Sequence, residues 1–228
     1  MLAERAMRVA MGIEYDGSAF HGWQVQNGVR TVQESLERAI AAVADHGVRI
    51  HCAGRTDAGV HALEQVVHFD TAARREERSW VLGTNVNLPP DVNVLWARPI
   101  GADFHARFGA TARHYLYRIL NRATRSALQR DRAVWVHQAL ELERVQRAAE
   151  DLVGEHDFSS FRALGCQAKS PVRRVHYLRV EQRDELYELR IGANGFLHHM
   201  VRNIAGVLMS IGRGDAPVSW VRDLLQIR

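Results

Sequence analysis

The sequence predicts an α+β protein of two similar subdomains, each with mainly antiparallel sheets flanked by helices, and an active-site cleft between them. Two observations carry this expectation. Strand-like runs are interrupted by helical ones, with hairpins among them, which favours antiparallel sheets over a wound parallel one. The second half of the chain also loosely repeats the grammar of the first, and 228 residues suffice for one generous core or two small ones. The boundary is placed near residue 105, giving subdomains 1–105 and 106–228.

The elements follow from periodicity. Residues 7–15 alternate, with Val9, Met11 and Ile13 on one face, and read as a strand. A glycine-punctuated loop, Tyr15 to Gln24, leads to a helix at Thr31. There Thr31 and Glu34 have capping-box spacing, and Val32, Leu36, Ile40 and Val43 recur helically. Strands are expected at 49–53 and 64–70, a short helix at 79–86 and a strand at 92–99. In the second half, strands are expected at 113–121 and 133–137 and a helix at 142–152. A hairpin at 173–193 turning through Arg183-Asp184-Glu185, an apolar helix at 197–211 and a last helix at 218–226 complete the series.

Composition narrows the function. No run of eighteen apolar residues exists to span a membrane, and residues 1–5 lack the apolar core of a signal peptide. Cys52 and Cys166 are isolated, which fits a reducing compartment and argues against a structural zinc site. The cytoplasm is expected. Thirty Lys+Arg against 26 Asp+Glu leave +4, and Lys169 is the sole lysine. Guanidinium groups suit phosphates and bases, so nucleic acid is the favoured partner.

The stretch Gly54-Arg55-Thr56-Asp57-Ala58-Gly59-Val60-His61-Ala62 sets one carboxylate between two glycines, directly after a strand. Such a loop can hold a reactive carboxylate at the end of a rigid element, and it can equally be a turn capped by Asp57. Tyr115 shares one strand face with Arg113, Tyr117 and Ile119, where it can pack or serve as a stacking platform for a base. Arg202 lies in the segment Phe196 to Ile211, which is apolar on nearly every face. A guanidinium buried there needs an anion, and Asp57 would serve. His51 beside Cys52 suggests a thiol site, but a strand cysteine is more often a small buried hydrophobe.

Together these segments resemble the tRNA pseudouridine synthase A family, from Tyr15 through Asp223. GRTDAGVHA resembles the family's catalytic loop, and Phe196-Leu197-His198-His199-Met200-Val201-Arg202-Asn203 resembles its FLxxMVRN motif. The resemblance implies Asp57 as the catalytic residue, with Tyr115, Arg55, Arg202 and Leu197 binding substrate. It implies isomerisation of uridine to pseudouridine at positions 38, 39 and 40 of the tRNA anticodon stem-loop, by a homodimer. No nucleotide-cofactor or metal-ligand motif is present, so neither a cofactor nor a metal is expected. Family members continue past the final helix into another strand, whereas this sequence stops at Arg228. A noncatalytic RNA-binding module of the same fold is the alternative; a carboxylate-dependent hydrolase of small molecules would not need the arginines.

Overall fold

The computed structural model describes residues 6–227, so the signal-peptide reading of residues 1–5 lies outside the described residues. The fold is α+β, and the chain divides into two compact units between Ala110 and Thr111.

The first unit is a four-stranded antiparallel sheet in the order β2-β3-β1-β4. Its elements are β1 (Met7–Tyr15), α1 (Val32–Ala44), β2 (His51–Cys52), β3 (Ala62–Thr71), α2 (Glu77–Asn87) and β4 (Val92–Ile100). The alternation in β1 does what it implies: Val9, Met11, Ile13 and Tyr15 enter a core with Val32, Leu36 and Ile40 of α1. Being central, β1 is held by ladders on both sides, which fixes Tyr15 at its end opposite Ala62 and Val92.

The second unit is a five-stranded sheet in the order β6-β5-β9-β8-β7. It comprises β5 (Arg113–Asn121), β6 (Val134–Val136), α3 (Leu142–Glu150), β7 (Gly154–Asp157), β8 (Val172–Arg183), β9 (Leu186–Ala193), α4 (Met200–Gly212) and α5 (Trp220–Gln226). Its core joins Ile119, Leu189 and Ile191 of the sheet to Val145 and Ala149 of α3 and to Ile204 and Leu208 of α4. Among the described residues, no helix is long and apolar enough to cross a membrane.

Several local expectations are corrected. The capping box does not form: Thr31 precedes α1 without a side-chain cap bond, and its hydroxyl is buried without a partner. Strand β2 is two residues long, and its backbone ladder ends close by on both sides. The Ile50 N–H goes to Glu37 of α1, and Gly54 is taken by the side chain of Gln65. Helix α4 begins at Met200, not Leu197, because His199 has φ 60°, a left-handed conformation that no helix interior accommodates. Strands β5 and β6 pair in parallel. The Asn121 amide steadies that return, donating to Val136 O and Gln138 O while its oxygen accepts from Leu140 N. Strand β7 and the 3-10 turn Ser159–Phe161 have no counterpart in the sequence reading.

Candidate active site

Asp57 sits in the turn between β2 and β3, half-buried, with Arg55 exposed two residues before it. The turn is fastened at several points. Ala53 N–H donates to Val66 O at 2.9 Å, the last backbone bond before the chain leaves the sheet. There the Gln65 amide takes over: its oxygen accepts from Gly54 N–H at 3.3 Å and its NH2 donates to Gly54 O. A side chain thus continues the ladder where the backbone diverges, and Gln65, only 8% exposed, is not available to solvent. No motif singled out Gln65, since its role depends on pairing across the hairpin.

The loop after β1 supplies the other fastenings. Trp23 N–H donates to Thr56 O at 3.0 Å, and Tyr15 Oη lies 2.7 Å from Thr56 Oγ1. A Cβ on Gly22 would stand 2.9 Å from Thr56 O and 3.2 Å from the carbonyl carbon of Asp57, so a larger residue would push the turn away. Beyond Asp57, Val60 N–H closes back onto Asp57 O at 3.2 Å, and Gly59 supplies the left-handed φ of 76°. Finally, His61 Nδ1 lies 3.1 Å from Gly17 N and 3.0 Å from Asp16 Oδ1. A neutral ring accepts from Gly17, and a protonated one pairs with Asp16.

Burial pushes the Cys52 thiol up to about 11, against the smaller opposing influence of Arg55. A thiolate at neutral pH is therefore disfavoured, and the thiol-nucleophile alternative loses its chemistry. Asp57 remains the candidate reactive group of this loop.

In the second unit, Tyr115 and Tyr117 lie on the core-facing side of β5, each half-buried. The Tyr115 ring meets Phe196 edge-on, with centroids 5.1 Å apart. Burial raises the Tyr117 pKa while the charge of Arg202 opposes the rise, so Arg202 lies close enough to act on that hydroxyl. Leu197 is 4% exposed and belongs to the core. Tyr115 thus stands on β5, Leu197 just before α4 and Arg202 in the first turn of α4.

One premise needs correction. Arg202 is exposed, not buried. The buried stripe of α4 is Met200, Ile204, Ala205, Leu208, Ile211 and Gly212, and Arg202 falls roughly 135° round the helix from its centre. Desolvation thus does not by itself force a carboxylate partner on this arginine.

The structure thus sets a clamped turn carrying Asp57 on an α+β scaffold. Comparison with known proteins makes this specific. The family model described as tRNA pseudouridine synthase matches residues 11–109 and 148–228, spanning Arg55, Asp57, Leu197 and Arg202 but not Tyr115. Proteins named tRNA pseudouridine synthase A are similar over 97% of the chain. Those of Methylococcus capsulatus (strain Bath) and Nitrosococcus oceani are each 59% identical, with 82% and 86% of their own lengths covered; that of Pseudomonas aeruginosa is 54% identical, with 78% covered. The chain belongs to the tRNA pseudouridine synthase family.

Proposed function

We propose that this protein isomerises uridine to pseudouridine in tRNA, at positions 38, 39 and 40 of the anticodon stem-loop, with Asp57 as the catalytic group. The reaction breaks the N1–C1′ bond, turns the base and joins C5 to C1′. A proton leaves C5 and one is gained at N1, so atoms balance without redox chemistry. An ionised carboxylate serves either as nucleophile or as base. The observation that carries the reading is the Asp57 turn, in which the backbone around one half-buried Asp is held by hydrogen bonds on both sides in a member of this family.

A paired uridine must leave the stack to be modified, at a cost of a few kcal/mol. Arg55, exposed beside Asp57, is assigned to stabilise the gap it leaves. Tyr115, Leu197 and Arg202 are assigned to substrate binding, Tyr115 by stacking on the extruded base. The net charge of +4 and the preponderance of arginine support a phosphate-rich partner. The resemblance supports a cytoplasmic homodimer whose basic surface spans the tRNA.

Incubation with unmodified tRNA, followed by mapping of pseudouridine at single-nucleotide resolution, tests the reading. Modification confined to positions 38–40 is the expected result. Salt-sensitive tRNA binding without any pseudouridine would favour the noncatalytic RNA-binding module.

A further inference from the structure

We infer that Tyr15 and Thr56 are positioning residues for Asp57, acting through the hydrogen bond between their hydroxyls; this rests on the proposed function above. Tyr15 ends the central strand β1, is 3% exposed, and is flanked by backbone ladders to β3 and β4. Its ring lies in the first core beside Trp23, with centroids 6.0 Å apart. It is therefore among the least mobile side chains that reach the turn.

The hydroxyl at the end of this anchored ring meets Thr56 Oγ1 at 2.7 Å, and Thr56 immediately precedes Asp57. The same threonine is held through its carbonyl by Trp23 N–H at 3.0 Å. One bond fixes the side chain and the other the backbone, so the peptide entering Asp57 has little freedom to rotate. The Tyr15 Oη and Thr56 Oγ1 oxygens can exchange donor and acceptor roles, so the bond survives in either orientation.

The chemical consequence is preorganisation. A carboxylate aimed at a sugar or base carbon must hold its position to a fraction of an ångström. A displacement of about 1 Å can cost on the order of a hundredfold in rate. Loops generally lack that stiffness, and here a core tyrosine supplies it. Neither hydroxyl need touch the uridine: the effect runs through Thr56 to the next residue.

The test compares Tyr15→Phe, Thr56→Val, Thr56→Ser and the Tyr15→Phe/Thr56→Val double variant with wild type on unmodified tRNA. Both single removals should lower kcat about tenfold while KM for tRNA stays within about twofold, because aim is lost and binding is not. Thr56→Ser, which keeps the hydroxyl, should restore most of kcat. The double variant should be no slower than the slower single one, since both remove one bond. Amide hydrogen exchange across residues 55–60 is a readout that needs no turnover. It should rise in Tyr15→Phe and Thr56→Val and stay at the wild-type level in Thr56→Ser. Unchanged exchange in both hydroxyl-removing variants overturns the inference, as do a kcat within twofold of wild type, losses that multiply in the double variant, or a defect confined to KM. A wild type that protects the turn as expected but makes no pseudouridine would instead reject the proposed function.

Discussion

The turn around Asp57 and the surface around Tyr115 are built on different principles. Residues 54–61 have almost no regular secondary structure, and their shape is set by contacts from Tyr15, Trp23 and Gln65. Tyr115 and Arg202 stand on a strand and a helix, and their directions follow from regular geometry over an apolar core. The comparison teaches that the proposed reactive group depends on a few polar bonds, while its companions depend on packing. Loss of one fastening should therefore disturb chemistry before stability in the first unit, and the reverse should hold in the second.

The sharpest way to break that comparison is Asp57→Asn. Asn keeps the size of the side chain but removes the anion, so pseudouridine formation should vanish while folding and tRNA affinity stay near wild type. Turnover within about tenfold of wild type would reject Asp57 as the catalyst.

Next in size is a contrast in stability. Leu197→Ala opens a cavity in the second core and should cost about 2–5 kcal/mol. Gln65→Leu leaves the Gly54 N–H and carbonyl without their amide partner and should cost about 1–3 kcal/mol. Gln65→Leu should nevertheless lower activity more than its share of the stability loss. Denaturant titration beside kinetics decides it, and the contrast fails if the activity of both variants simply tracks their folded fraction.

A smaller, substrate-dependent effect should separate Arg55 from Asp57. Arg55→Ala should slow modification of a paired target uridine and recover much of the loss when the opposing base is mismatched, since a mismatch lowers the extrusion cost. Equal defects on both substrates would remove Arg55 from that role.

The smallest effect is a pH dependence in the first unit. His68 is 1% exposed, and its Nδ1 accepts from Ala106 N–H at 3.1 Å, which requires that nitrogen unprotonated. Burial, then the neighbouring His105, Arg8 and His51, lower its pKa from 6.5 to about 4, with Asp70 opposing. Between those values the unfolded chain binds more protons than the folded one. The neutral form's contribution is therefore complete above pH 6.5 and is lost as pH falls towards about 4. His68→Gln should flatten the decline of melting temperature across that window; an unchanged slope would assign the pH dependence to other groups.

Much of this protein is legible without coordinates. Apolar patterning locates β1 and β5, and the turn at Arg183-Asp184-Glu185 locates the β8–β9 hairpin. The nine-residue loop and the FLHHMVRN segment bring the family into view. Periodicity does not show where an element stops. His199 in a left-handed conformation starts α4 three residues late, and β2 is only two residues long. Apolar neighbours in the sequence imply a buried Arg202, yet a helix buries only the stripe that meets its partner.

The sequence by itself determined the fold class and the family and put Asp57 forward as the candidate carboxylate, since local patterning and chemically distinctive residues are properties of neighbours along the chain. Only the tertiary structure decided what holds the turn that carries it. Tyr15 is 41 residues from the Thr56 hydroxyl it meets, and Gln65 is 11 from the glycine it clamps. Bonds across such separations leave no periodic mark, because they exist only once the sheet has brought the ends of its strands together.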